Sequence, residues 1–476
     1  MFKKIKFNLP AQQSRRTGAG SSIVLILYLT ALPLLSSAQA KTTTVANRRQ
    51  FQEIASKLDA GGDLFLVVNT DKVIDKVMEA AIDADVGIPA DNPHEKEVRE
   101  TIERFKTFLV RNGFSAIHGA GISSVPQEDG SNAVKFYISR DYIDSNLPLW
   151  RGLVGWQPRR LISLDFIPAN TAMARAATPE PESLWKVVRA GIDEVAAEPT
   201  QQQFNAWLKN INSSLGMDLK DLLKNIRNEI MICVRFSKTE QSVIPSKTGL
   251  VTIPAPEFLI VVGSDNNILK GIVAAKFSEY KITLNESTVD DILIRSSSDK
   301  LPSLIPLQPA YASEAGFFLM GSTPDIIADA LLAYRHKTGL ISRPEFKNAF
   351  QGLSMVNNGI IYISEEMGEI MSHIREANHA EILAGSEKHP AASRIIKQLT
   401  SYNGKPQSAA LIIQNWKKGI MIMGSSTIGG QDLITRLAAF PLHKLPTIFN
   451  TTTATQKKTF ISIFRNSLNK EIIKDK

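Results

Sequence analysis

Short apolar stretches that end in small polar residues and lead into helical spacing recur along the chain. The stretches GFFLMGST (316–323) and GIMIMGSS (419–426) are near copies, because each opens with glycine, continues with four apolar residues and then has Gly-Ser. After each, an aspartate precedes apolar residues at the i, i+3, i+4 spacing of a helix. Looser versions of this pattern begin at Phe65, Thr171, Phe258 and Gly359. The pattern predicts six joints, each between a strand and a following helix.

The polar residues at these joints have a structural explanation. The first N–H groups of a helix lack intrahelical acceptors, and a Ser, Thr or Asp side chain can accept a hydrogen bond from one of them. Pro324 suits the first helical position, and Asp325 suits the positive end of the helix dipole. A catalytic nucleophile is expected once, and neither G-x-S-x-G nor Gly-Lys-Ser/Thr occurs at these joints. We therefore interpret Gly321-Ser322-Thr323 as a structural joint.

Three sections of the chain share the order strand, helix, helix, strand, strand. Strands that come in pairs between helices favour antiparallel pairing over a strictly alternating parallel sheet. The predicted fold class is α+β, with repeated β-α-α-β-β units and mainly antiparallel sheets flanked by helices. The predicted divisions are a signal peptide (1–40), an N-terminal unit (41–145), a central domain (160–355), a C-terminal unit packing with it (356–450) and a basic tail (451–476).

Finer predictions follow from the same patterns. A single helix is expected over Gln202–Ile226, and a strand is expected in YKITLN (280–285). Polar or turn-rich residues near 141–160, 238–254 and 296–309 predict linkers and loops.

The first 40 residues have the pattern of a signal peptide. Five basic and no acidic residues precede or flank a mainly apolar run, Ile23–Leu35, and Ala38-Gln39-Ala40 is typical of a cleavage site. We expect export and cleavage near Ala40, which would leave a periplasmic or extracellular protein. The alternative is a chain anchored by an uncleaved N-terminal segment.

The distribution of charge bears on the class of partner, and the single cysteine bears on the core. Of the net charge of +8, five charges lie in the first 40 residues and four in residues 451–476, so the rest of the chain carries about −1. A near-neutral body has no electrostatic footprint for nucleic acid. The single cysteine, Cys233, lies in the apolar stretch EIMICVRF and is expected to be a buried strand residue.

Three segments resemble an uncharacterised family of exported bacterial proteins that is defined only as a domain of unknown function. They are LPLWRGLVGWQPRRLISLDFIPANTA (147–172), SSLGMDLKDLLKNIRNEIMICV (213–234) and GFFLMGSTPDIIADAL (316–331). The Leu-Pro-Ala-Asp-Thr-like segment of that family appears here as Ile167-Pro168-Ala169-Asn170-Thr171, with Asn in place of Asp. The resemblance implies an exported α+β protein, and it supplies no catalytic residues.

The candidate binding residues are Trp150, Trp156, Arg159 and Arg160. Together they form an aromatic and basic patch in a predicted loop, and such side chains dominate binding hot spots. The patch could stack on a sugar or bind an acidic partner. The alternative is that the tryptophans fold back to cover a domain junction.

A second candidate is a metal site at Glu369, His373 and Glu376. Spacings of four and three residues place an imidazole and two carboxylates near one helical face, which could supply three ligands to a divalent ion. The alternative is a solvated helix face with ion pairs between residues four apart. The sequence predicts neither a catalytic residue nor a cofactor.

The C-terminal tail combines basic residues with an apolar repeat. Phe460, Phe464, Leu468 and Ile472 recur every four residues among lysines. A helix with this pattern could contact an anionic membrane surface weakly, or it could dock on the body of the protein.

These observations favour an exported, periplasmic or envelope-associated protein that binds or scaffolds without catalysis. The alternative is a secreted hydrolase whose site is assembled from distant residues, and a third interpretation is a carrier of an apolar ligand. The partner is not identified by the sequence; an envelope protein, a glycan or a lipid are the candidates.

Overall fold

The computed structural model describes residues 45–69, 94–140, 147–196, 198–246, 249–264, 268–300, 307–373, 408–427 and 429. The helices with both ends described are α1 (Val45–Ala55), α2 (His94–Asn112), α3 (Pro148–Val154), α4 (Pro181–Glu194), α5 (Glu198–Leu215), α6 (Leu219–Asn225), α7 (Ile268–Glu279), α8 (Pro324–His336) and α9 (Pro344–Ala349). A further helix begins at residue 365.

Fifteen strands are described. They are β1 (Leu64–Asn69), β2 (Ile117–Pro126), β3 (Asn132–Arg140), β4 (Arg159–Arg160), β5 (Thr171–Ala177), β6 (Ile226–Ser246), β7 (Gly249–Ser264), β8 (Leu284–Val289), β9 (Ile292–Ser297), β10 (Ala310–Glu314), β11 (Phe317–Gly321), β12 (Val356–Asn357), β13 (Gly359–Ile363), β14 (Ala409–Trp416) and β15 (Gly419–Ser426).

Thirteen of these strands form one sheet in the order β1-β2-β3-β15-β14-β13-β5-β6-β7-β11-β10-β9-β8. Neighbouring strands in it pair antiparallel, and β4 and β12 form a separate antiparallel pair. Helices flank the sheet, so the predicted α+β class with mainly antiparallel pairing is confirmed. Strands from all three predicted sections share this sheet, with β5 and β13 near the centre.

One face of the sheet, the core face, carries the main hydrophobic core. Alternation along the central strands places Ala174, Met231, Leu259 and Leu319 on this face, where α8, α9 and the 3₁₀ turn Ile162–Phe166 cover them. Cys233 lies on the same face and is fully buried, as its apolar stretch predicted.

In the described part of the chain, helices cover the opposite face, here called the second face, at two places that each have a hydrophobic cluster. Helices α2, α3 and α4 pack on it at Ile138, Ile413 and Ile420. Helix α7 packs on it at Tyr311 and Phe318. The strands between these places, β5, β6, β7 and the end of β11, carry exposed side chains on this face.

The joint at Gly321-Ser322-Thr323 is structural, as predicted. Strand β11 ends at Gly321, and Thr323 caps α8 by accepting a hydrogen bond from the N–H of Ile326 at 3.4 Å. Pro324 occupies the first turn, and the Ser322 hydroxyl accepts from the N–H of Phe258 on β7 at 2.9 Å. The polar residues therefore connect the helix to two strands.

Several finer predictions differ from the structure. The linker expected at 238–254 is mostly β-hairpin, because β6 continues to Ser246 and β7 starts at Gly249. The helix expected over Gln202–Ile226 divides into α5 and α6 at Gly216, whose φ of 70° ends the first helix. The strand expected at 280–285 lies instead at Leu284–Val289.

The predicted signal peptide and the basic tail lie outside the described residues. Among the helices of the described part of the chain, none is both long and apolar enough to span a membrane.

Candidate functional site

The segment that carries Trp156 is fixed at the end of α3 by a glycine. Gly155 has a φ of 74°, and its N–H donates to the carbonyl of Arg151 at 3.0 Å. A Cβ at this position would lie 2.0 Å from the carbonyl oxygen of Thr178. Only glycine combines this backbone conformation with this close approach.

A buried amide holds the same segment against the sheet. The side-chain amide of Asn415 on β14 donates to the carbonyls of Gly155 and Trp156 at 2.7 and 2.9 Å. Its Oδ1 accepts from the guanidinium of Arg140, and its backbone N–H donates to Asn358 Oδ1 at 2.7 Å. These hydrogen bonds therefore fix the backbone around Trp156 to strand β14 of the sheet.

The Trp156 ring is half-exposed, although its backbone is fixed in this way. The guanidinium carbon of Arg151 lies 5.2 Å from the ring centre, and Arg151 also pairs with Glu180. Burial alone would raise the pKa of Glu180, but hydrogen bonds from Arg151 and Ser183 lower it below its ordinary value. Glu180 therefore stays ionised and keeps Arg151 in place beside the indole.

Trp150 has a different environment from Trp156. It is buried in one hydrophobic cluster with Phe108 and Phe114, and its indole N–H donates to the carbonyl of Gly113 at 2.8 Å. The Arg140 guanidinium lies 5.5 Å from its ring centre. Trp150 is thus part of the packing under helices α2 and α3, and the structure does not bring it to the surface beside Trp156.

Arg159 and Arg160 lie on the short strand β4 and are exposed. Arg159 contacts the buried carboxylate of Glu229 at 3.4 Å, and Arg160 contacts that of Asp165 at 3.5 Å. Lys337 from the end of α8 shares Asp165 at 3.2 Å. Two buried carboxylates thus hold three exposed cationic side chains at and near β4.

Exposed apolar side chains lie near these cations. Val356 on β12 is the Cα partner of Arg160, and it is exposed, as are its neighbour Met355 and Ile162 after β4. We use the name Trp156 surface for Trp156, Arg151, Arg159, Arg160 and Val356. Indole, guanidinium and aliphatic groups suit recognition, and the cations already have carboxylate partners.

Of the predicted metal-ligating residues, those that the structure describes lie on a different element from the residues of the Trp156 surface. Glu369 and His373 are exposed on the helix that begins at residue 365, and Glu376 lies outside the described residues. Burial and the charge of Glu369 raise the pKa of Glu366, while Lys238 opposes the shift. Within the described ranges, no group of three or more metal-ligating side chains is gathered. The metal site therefore stays a prediction.

Asn415, Asn358 and Glu180 were not among the residues predicted for this site. Asn415 is 259 residues from Trp156 along the chain. The available signal is a pair of amides, Gln414 and Asn415, within the otherwise apolar strand ALIIQNW, since buried amides need partners.

Comparisons of this chain with family models, with curated proteins and with solved structures give no match.

Proposed function

We propose that the protein is exported to the cell envelope and acts there by binding or scaffolding rather than by catalysis. The N-terminal pattern of residues 1–40 supports export. One observation carries the binding role: Trp156 is 45% exposed, yet Arg151 and the buried amide of Asn415 hold it in one place. A preorganised aromatic side chain loses little conformational entropy when it binds.

The proposed partner is an acidic protein segment or an acidic glycan. The open side of the indole can stack on a flat apolar surface, whether a sugar ring or an aromatic side chain. Arg159 and Arg160 have their carboxylate partners beneath them, and guanidinium groups have five donors each, so further hydrogen bonds to acids remain available.

Recovery of partners from the native envelope tests this proposal. Wild-type protein and a Trp156→Ala variant would be purified gently, and co-purifying material would be identified by mass spectrometry. Trp207→Ala is a matched control, because Trp207 is 47% exposed on α5. We expect a stoichiometric partner with wild type and with Trp207→Ala, and its loss with Trp156→Ala. Equal recovery with all three proteins, or robust hydrolysis of an envelope substrate by pure protein, would contradict the proposal.

We also propose that the chain is built from three β-α-α-β-β units, whose strands are β1-β2-β3, β5-β6-β7 and β13-β14-β15. Each set is consecutive in the sheet. In the order β15-β14-β13-β5-β6-β7, the third, second and first strands of one unit are followed by the first, second and third strands of the other. The first strands of the second and third units, β5 and β13, therefore pair with each other antiparallel. This order supports a two-fold relation between these two units. An experimental structure in which the three units fail to superpose would reject the repeat.

A further inference from the structure

A row of exposed side chains crosses the open part of the second face. Register pairs Arg175 on β5 with Ile232 on β6, Ile232 with Ile260 on β7, and Ile260 with Met320 on β11. Cα partners on antiparallel strands direct their side chains to the same face. The three apolar members are 41%, 39% and 39% exposed, whereas the residues on either side of Ile232 and Ile260 are fully buried on the core face.

Phe258 widens this row on the same face. It precedes Ile260 by two positions on β7 and is also exposed. We call Arg175, Ile232, Phe258, Ile260 and Met320 the open strip. Four strands separated by about 4.8 Å give a strip of roughly 14 Å across the strands. Exposed aliphatic and aromatic side chains that adjoin in this way indicate a binding surface rather than scattered surface residues.

Arg175 differs from the other arginine in this row. In the next two strands, the row continues through buried Tyr311 to Arg295 on β9, which pairs with Glu286 at 2.8 Å. The side chain of Arg175 is exposed and makes no hydrogen bond or ion pair with any residue in the part of the chain that the structure describes. The open strip therefore has an uncompensated cation at one end and apolar side chains along the rest.

The surroundings of the open strip determine what can reach it. On one side, α7 covers the second face at Tyr311 and Phe318; on the other, α2, α3 and α4 cover it at Ile138, Ile413 and Ile420. A helix layer rises roughly 10 Å above a sheet. A flat bilayer would meet these helices before it met the strip, whereas a single extended chain can lie between them.

We propose that the open strip binds a free, single-chain anionic amphiphile, with its acidic head group on Arg175 and its acyl chain over Ile232, Ile260 and Met320. A guanidinium forms charge-assisted hydrogen bonds with a carboxylate, and transfer of the acyl chain from water onto apolar side chains supplies the remaining affinity. This site shares no residue with the Trp156 surface and does not depend on its role.

Binding of two probes with the same tail tests the proposal. Dodecanoate and dodecyltrimethylammonium would be titrated into the full-length protein below their micelle concentrations, with isothermal titration calorimetry as the readout. We expect wild type to bind dodecanoate about tenfold more tightly than the cationic probe, which is the scale of a charge-assisted hydrogen bond. Arg175→Gln should abolish this preference, and Arg175→Lys should retain most of it.

Other variants separate the contributions of charge and apolar surface. Ile260→Ser should weaken binding of both probes. Arg295→Gln is the matched control, since it removes an arginine of the same row that already has a partner, and it should bind as wild type does. Trp156→Ala should also leave both affinities unchanged, so failure at this site and failure at the Trp156 surface are distinguishable.

Four results would overturn the proposal. They are the absence of dodecanoate binding to wild type, equal affinities for Arg175→Gln and wild type, binding that occurs only with phosphatidylglycerol vesicles, and a concentration-dependent dimer that Ile260→Ser dissociates. The first would show that the strip does not bind a single-chain anionic amphiphile. The last two would assign the strip to a membrane surface or to a second copy of the chain.

Discussion

The guanidinium carbon of Arg151 lies 5.2 Å from the centre of the Trp156 ring, and the same guanidinium pairs with Glu180 at the start of α4. The pair joins an exposed indole to a helix that packs on the sheet. The backbone before Trp156 passes so close to Thr178 that the position of the ring depends on Gly155. The presentation of Trp156 can therefore be tested through stability as well as through binding.

Substitution of Gly155 by alanine should destabilise the protein by about 3 kcal/mol or more, because a positive φ and a clash with backbone add together. Urea unfolding followed by circular dichroism measures this loss. Gly352→Ala is the matched control: Gly352 has a φ of 78°, and nothing lies within 4 Å of the place that an added Cβ would occupy. The control should lose about 1 kcal/mol. Equal losses would show that Thr178 yields at no cost.

Replacement of Arg235 by methionine should cost about 3 kcal/mol, because it leaves the buried carboxylate of Glu257 without its main partner. Arg235 also pairs with Asp329 on α8, so it joins β6, β7 and that helix. Adding Glu257→Gln should restore part of the lost free energy of unfolding. The exposed pair of Lys300 and Glu240 is the control, and Lys300→Met should cost less than about 1 kcal/mol. Similar losses for both lysine and arginine variants would contradict this account.

Local patterns predicted much of the fold. Alternation and helical spacing located the strand at Phe317–Gly321, the cap at Thr323 and the helix after it, since these depend on neighbouring residues. They failed where long-range pairing decides the outcome. The polar stretch 238–254 pairs as an extended hairpin, although its composition is typical of a loop.

The candidate site was predictable only in part. Trp156, Arg159 and Arg160 are exposed, whereas Trp150, six residues before Trp156 in the same predicted loop, is buried. The two tryptophans differ in burial because Trp150 packs in the core under α2 and α3. A local sequence pattern cannot specify such packing. The open strip was missed because it exists only after strand pairing. The sheet register places Arg175 of TAMARAA in one row with side chains on other strands, namely Ile232, Ile260 and Met320.

The thiol of Cys233 should be unreactive in the folded protein. Burial raises its pKa to about 12, so the thiolate is scarce even at a pH of about 9, and the side chain is fully buried. Labelling with iodoacetamide, followed by intact mass, should proceed only at the rate of unfolding and become rapid in guanidinium chloride. Rapid labelling under native conditions would show that strand β6 opens locally.

The phenol of Tyr137 should make stability depend on alkaline pH. Burial, together with the charge of Glu53, raises its pKa to about 12 from 10.0, and its hydroxyl donates to Lys418 O. The folded state thus holds this proton more tightly than the unfolded chain, so the contribution is complete below a pH of about 10 and is lost as the pH rises through about 12. Between these values, wild type should lose on the order of 1–2 kcal/mol more than Tyr137→Phe. Urea unfolding at several pH values measures the difference. Tyr280→Phe, at an exposed side chain, should follow wild type, and parallel profiles for wild type and Tyr137→Phe would refute the assignment.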